Sequence, residues 1–326
     1  MKLNKKLIGI VLISLLLSSC STSTKHNVSE QVVEPLEKPY VAIISKGWQH
    51  QFWQSVKMGA FKAAKELNIE LTFEGPEGDF AVDKQLDMLA TAIDKKPAAI
   101  IIAASDSKAV IPKLEEAQKL NIPIIAFDSG VDSNIPITSV ATDNFNAAGL
   151  VADKIAQAIG NAGEVGILCH DNFSRTGIDR RDGFSKRMEE QYPNITVVEV
   201  QYSGGDHDLS KKMVIEMMQN HPNIKAIFAT NEGTAIGLIQ AVVSEALPNK
   251  IVIAGFDSGK VQKDAIRTGV MLGAVTQNPY MIGYYAVVAA SKSINGEEVS
   301  KSIDTGYEWY DANNIDDESI NKMLYD

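Results

Sequence analysis

The sequence predicts an α/β protein built as two similar doubly wound parallel-sheet lobes. Three observations carry that expectation. From residue 40 onward, short runs that are apolar throughout alternate with segments of helical period, as in sheets whose strands are covered on both faces. The alternation then restarts: apolar runs at 165–168, 226–229 and 251–256 repeat those at 41–44, 100–103 and 122–127, at offsets of 124, 126 and 129 residues. Near-constant offsets mark an internal repeat. Finally, the tetrapeptide F-D-S-G closes an apolar run twice, at 127–130 and at 256–259.

The elements follow in order. V-A-I-I at 41–44 reads as a strand. Residues 52–67 place Phe52, Val56, Ala60, Ala63, Ala64 and Leu67 on one helical face. A strand is expected at 69–73 and a helix at 82–94; the apolar run at 98–103 is a strand, 107–120 a helix and 122–127 another strand. Right-handed crossovers would wind these into one sheet. In the second half, G-N-A-G-E-V-G at 160–166 is glycine-rich but precedes a strand. A phosphate-binding loop follows a strand and opens a helix, so this is a helix-to-strand turn.

The chain has 326 residues, enough for one large or two medium domains. It is 45 % hydrophobic and 22 % charged, as ordinary globular proteins are. A formal net charge of −10 argues against nucleic acid or an anionic membrane surface as the main partner.

The N-terminus reads as an address rather than as fold. Lys2, Lys5 and Lys6 precede an apolar run at 7–17, then Ser18, Ser19 and Cys20. This is the layout of a secretory signal. Its 11 apolar residues rise about 16 Å as a helix, half of a bilayer core. Cysteine directly after L-S-S resembles a bacterial lipobox, which implies a signal peptide over 1–19, lipid on Cys20 and a tether over 20–39. A plain secreted protein with a chance cysteine is the alternative. Cys169 is then the one remaining thiol. It follows V-G-I-L, so it reads as a core thiol at a strand end, and neither a disulfide nor a cysteine metal site is expected.

Position gives the two F-D-S-G copies a second meaning. In open parallel sheets, ligands bind beyond the carboxyl ends of the strands. If two such lobes face each other, Asp128 and Asp257 both point into the cleft between them. Asp-Ser-Gly is also ordinary turn chemistry, and Asp can cap a following helix.

Seven motifs in order carry a family resemblance: S-K-G-W-Q-H-Q-F-W-Q-S-V-K-M-G-A at 45–60, I-P-I-I-A-F-D-S-G at 122–130, A-T-D-N at 141–144, R-R-D-G-F at 180–184, F-A-T-N-E at 228–232, G-F-D-S-G at 255–259 and A-V-T-Q-N-P at 274–279. From about residue 40 to about 306 the chain resembles the periplasmic sugar-binding proteins of the ribose-binding type, the substrate-binding subunits of ABC importers. The resemblance implies the type I periplasmic binding protein fold. Its lobes would be 40–142 with 278–305 and 143–277 with 306–326. A three-crossing hinge would lie near 142–144, 277–279 and 304–306. It implies ligand contacts at Phe52, Trp53, Asp128, Arg180, Asn231, Phe256, Asp257 and Gln277, an ABC permease as partner, a monomer, and no cofactor or metal. The chain departs from the ribose pattern at Ser129, where an Arg is usual, at Ala103, where an Asn is usual, near Gly205, where a Phe is usual, and through Gly47–Gln51, which includes Trp48 and His50.

The residue types suit a polyhydroxylated ligand. Carboxylates accept, Asn and Gln do both, Arg donates a rigid fork, and aromatic rings cover C–H faces. Phe52 and Trp53 equally fit the buried face of their helix. The departures point to a neutral monosaccharide, deoxysugar or sugar alcohol other than ribose. A carbohydrate-active enzyme using Asp128 and Asp257 is one alternative, but G-x-S-x-G, P-loop and H-E-x-x-H patterns are absent. A sugar sensor facing a chemoreceptor or sensor kinase is another. A repressor of the same core would need a DNA-binding helix pair where this chain carries a secretion signal. The tail aromatics Tyr307, Trp309 and Tyr310 are expected to pack back onto a lobe near the hinge.

Overall fold

The computed structural model describes residues 38–78, 81–244 and 251–325. The signal peptide over 1–19, Cys20 and nearly all of the tether over 20–39 lie outside the described residues.

The first half of the chain alternates as its apolar runs require: β1 (Tyr40–Ile44), α1 (Gln51–Glu66), β2 (Glu70–Glu74), α2 (Val82–Asp94), β3 (Ala99–Ile102), α3 (Ile111–Lys119), β4 (Ile124–Phe127) and β5 (Thr138–Ala141). The second half repeats it with α4 (Asn144–Ala158), β6 (Gly163–Cys169), α5 (Arg175–Gln191), β7 (Ile195–Tyr202), α6 (His207–Asn220), β8 (Ile224–Ala229), α7 (Glu232–Ser244), β9 (Val252–Phe256), α8 (Lys260–Arg267) and β10 (Gly273–Gln277). Then come α9 (Pro279–Ile294), β11 (Ser302–Asp304), β12 (Tyr307–Asp311) and the short α10 (Glu318–Asn321).

These build two six-stranded sheets, ordered β11-β5-β4-β3-β1-β2 and β12-β10-β9-β8-β6-β7. The orders correspond strand for strand, which is the repeat seen in the sequence. Every residue of β3 and β4 is buried, because helices cover both faces of the sheet. Cys169 is fully buried at the end of β6, and burial pushes its thiol up to about 11. It is an inert core thiol.

One element departs from expectation. Helix α3 begins at Ile111 rather than 107. Asp106 turns the chain first, accepting the backbone N–H groups of Lys108 and Ala109 through Oδ1 at 2.8 and 2.9 Å. The tail aromatics form β12, which pairs antiparallel with β10. The reason is directional. β11 runs parallel to β5, so it leaves the first sheet at its carboxyl end. Only residues 305 and 306 separate it from β12, so the chain enters the second sheet from the carboxyl end and must run backwards.

Paired helices brace each sheet. An added Cβ on Gly59 would lie 1.9 Å from the Tyr280 carbonyl oxygen, and one on Gly183 would lie 2.1 Å from that of Phe145. Helix α1 therefore meets α9, and α5 meets α4, at backbone contact that only glycine permits.

Candidate functional site

The site begins at the two F-D-S-G corners. Asp128 and Asp257 both take left-handed backbone, with φ of 54° and 79°. Asp tolerates this region better than most residues because its short polar side chain can bond locally. Each donates its N–H to the neighbouring strand, Asp128 to the Val140 carbonyl at 2.9 Å and Asp257 to that of Val275 at 2.7 Å. Both side chains are buried, and both line one cavity of about 350 Å³.

The cavity gathers residues from strand ends and helix starts of both sheets. Phe52, Trp53, Asp128, Arg180, Asn231, Asp257 and Gln277 all line it. Phe52 and Trp53 also belong to the core under α1, where Trp53 meets Phe127 edge-on at 6.2 Å. They thus border the cavity and pack in the core at once. Phe256 is the exception among the eight: it does not line the cavity. The Arg180 guanidinium lies over its ring at 3.7 Å, so Phe256 supports a charge by cation–π contact.

Arg180 is fixed in place. Its Nε donates to Asn144 Oδ1 and its Nη1 to the Thr230 carbonyl, both at 2.8 Å. Nη1 stands 4.0 Å from Asp257 Oδ2. The Asp257 carboxylate accepts Gln277 Nε2 at 2.7 Å and the Glu232 N–H at 2.9 Å. Asn231 Oδ1 accepts the Thr234 N–H at 2.9 Å, so it also caps α7. Gln277 Oε1 is buried with no partner among the described residues. A buried acceptor left open costs about 1–3 kcal/mol, and a hydroxyl donor in the cavity would satisfy it.

Five lining residues were not singled out as ligand contacts: Lys46, His50, His170, Thr176 and Glu232. His50 lies in the departing stretch. A lysine two residues past an apolar strand, as in V-A-I-I-S-K, was a signal for Lys46; His170 directly after the β6 run was another. Lys46 is buried, and its Nζ donates to Ser174 Oγ at 3.1 Å and Thr176 Oγ1 at 3.3 Å, with Asp171 Oδ2 at 3.6 Å. Burial alone would raise the Asp171 carboxyl, but the Lys46 ammonium, His170 and Ser174 hold it at about 2. Burial drives His170 down to about 3, so this imidazole is neutral near pH 7. Its Nδ1 pairs with Thr230 Oγ1 at 2.8 Å. Burial raises Glu232, with Asp257 adding to the rise, while His50, the Phe52 N–H and Tyr325 oppose it.

Of the departing positions, Ala103 is buried, and the buried Ser129 Oγ has no partner among the described residues. Among the described residues no group of three or more His, Cys, Asp or Glu could hold a metal ion. A larger groove of about 1580 Å³, bordered by Thr138, Asp143, Arg175 and Asp304, adjoins the cavity at Asp128.

A family profile described as a periplasmic binding protein domain matches residues 41–298. The ribose import binding protein RbsB of Bacillus subtilis (strain 168) is 27 % identical over 254 residues, covering 77 % of this chain and 80 % of that protein. A crystal structure of a carbohydrate transporter solute binding protein from Agrobacterium radiobacter, in complex with D-arabinose, aligns with a TM-score of 0.85 at 30 % identity, over 89 % of this chain and 100 % of that chain. A solute binding protein of an ABC transporter from Agrobacterium vitis, bound with α-D-tagatopyranose, aligns with a TM-score of 0.85 at 26 % identity, again over 89 % and 100 %.

Proposed function

We propose, from the premise that this chain belongs to the periplasmic binding protein family, that its cavity captures a neutral monosaccharide, deoxysugar or sugar alcohol other than ribose for an ABC permease. The chain is an extracytoplasmic solute-binding protein and not an enzyme, as its sugar-binding relatives are. The observation that carries the ligand class is the convergence of Asp128 and Asp257, from matching strand ends, on one cavity with Arg180, Asn231 and Gln277.

In this reading Asp128, Asp257 and Gln277 accept from hydroxyls, Arg180 and Asn231 donate, and Phe52 and Trp53 cover C–H faces. His50, Lys46 and Glu232 complete the wall. The lobes are 40–142 with 278–305 and 143–277 with 306–326. The crossings near 142–144, 277–279 and 304–306 form the hinge. Supporting this, Thr142 Oγ1 donates to the Gly306 carbonyl at 3.5 Å, which ties the first crossing to the third. Ligand bridges the lobes and favours the closed form, because only that form makes both sets of contacts. The protein acts as a monomer, tethered to the membrane through lipid on Cys20.

The test is a thermal-shift screen of the matured protein against D-ribose, D-allose, D-arabinose, D-tagatose, D-fucose, D-apiose and neutral polyols. A true ligand at 100 times its dissociation constant stabilises by about 2.7 kcal/mol. Asp257→Ala and Arg180→Ala should erase the shift with the fold intact. Ribose emerging as the tightest ligand would sink the specificity assignment. No response to any member would sink the ligand class.

A further inference from the structure

The stretch Gly47–Gln51 departs from the ribose pattern, and the cavity takes only His50 from it. Gln51 reaches elsewhere. Its Oε1 accepts the backbone N–H of Lys260 at 2.9 Å. Lys260 opens α8, whose N-cap Gly259 makes no side-chain cap bond. Helix α1 itself opens at Gln51, so the residue that starts one helix caps the other. By contrast α4, α5, α6 and α9 carry caps from their own sequence, at Asp143, Ser174, Asp206 and Asn278.

We propose that α8 is capped in trans by Gln51 of the opposite lobe, and that this cap is a latch that favours closure even without ligand. The physical reason is conditionality. The first N–H groups of a helix lack intrahelical partners. For the Lys260 N–H the Gln51 acceptor is present only while the lobes meet. A side-chain cap shifts an equilibrium about fivefold, so this cap biases closed over open by about that factor. It adds to the other contacts between the lobes, among them the Ser107 N–H on the Phe173 carbonyl at 3.1 Å and Lys46 Nζ on Ser174 Oγ at 3.1 Å. The latch rests on lobe closure and is independent of which sugar is bound.

The test is hydrogen exchange on the matured protein with no sugar present. Lys260→Pro removes only the donated N–H: proline suits the first position of a helix, and Gly259 (φ −59°, ψ 159°) already has the extended backbone required before it. Lys260→Ala keeps the N–H while deleting the 2.6 Å pair with Asp264. Gln51→Ala removes the acceptor. Lys260→Pro should speed exchange over 52–54, on the opposite lobe, about fivefold. Gln51→Ala should do the same over 52–54 and also over 260–263, and the double variant should go no further. Lys260→Ala should match wild type. Unchanged exchange over 52–54 in Lys260→Pro and Gln51→Ala, with wild-type circular dichroism, would overturn the latch; so would an equal effect from Lys260→Ala. Should the proline variant fail to fold, Gln51→Ala against Lys260→Ala decides alone. Failure of the sugar screen would leave this result standing.

Discussion

The two F-D-S-G corners share four residues, a left-handed Asp and one cavity, yet they are not equivalent. Around Asp257 the protein builds a net: Gln277 and the Glu232 N–H hold its carboxylate, Arg180 stands beside it, and Tyr310 donates its hydroxyl to the Asp257 carbonyl at 2.7 Å. Asp128 instead borders both the inner cavity and the outer groove. The serines differ as well. Ser258 Oγ accepts Thr276 Oγ1 at 3.0 Å and its N–H donates to the Tyr325 hydroxyl at 3.2 Å, whereas Ser129 Oγ is buried without a partner among the described residues. Identical tetrapeptides make identical corners. The neighbours decide what each corner does.

The largest expected effect tests the aspartates. In Asp257→Asn, the amide nitrogen must face either Gln277 Nε2 or the Glu232 N–H, donor against donor. Sugar affinity measured by calorimetry should fall at least about 100-fold, or about 3 kcal/mol. Asp128→Asn should cost only about tenfold. Equal losses would erase the functional asymmetry.

A second comparison concerns Lys46 and His170, which are 124 residues apart, the offset that separates the first strand from its repeat. Both are buried and both line the cavity, but one is an ammonium and the other a neutral imidazole. His170 has a folded value of about 3 against an ordinary 6.5. The unfolded chain therefore binds more protons between those values, and stability must fall as pH drops below about 6.5. Between pH 7 and pH 5 this group should cost about 2 kcal/mol in denaturant titrations. Asp171 has the same sign but acts at lower pH, held at about 2 against 3.8. Its contribution is present above about 3.8 and is lost only as pH falls toward 2, so it adds nothing to that interval. His170→Gln should flatten the pH 5–7 slope; an unchanged slope would show that the proton binds elsewhere.

The smallest effect separates the serines. Ser258→Ala should lower stability by about 1 kcal/mol, through Thr276, while Ser129→Ala should be close to neutral. Paired melting curves sharpen the comparison, and the reverse order would contradict the partner assignment.

Much of the architecture was legible in the sequence. Runs such as V-A-I-I and A-I-I-I leave no polar face, so they demand burial on both sides. The F-D-S-G repeat marked both corners, and motif order identified seven cavity residues. The contact of the Phe256 ring with the Arg180 guanidinium was not legible, because the two are 76 residues apart in sequence and only packing brings one over the other. Glu232 went unnoticed because a carboxylate at a helix start reads as an ordinary cap.

The sequence by itself determined the repeated strand–helix plan, the turn at each F-D-S-G and the chemistry available at the strand ends, because these follow from local hydrophobic period and turn preference. Tertiary structure alone decided which groups meet across the cleft. It set Gln51 on the N–H of Lys260, Lys46 against Asp171, and β12 running backwards along β10. Those pairings join residues far apart in the chain, and their energies exist only once both sheets have formed and faced each other.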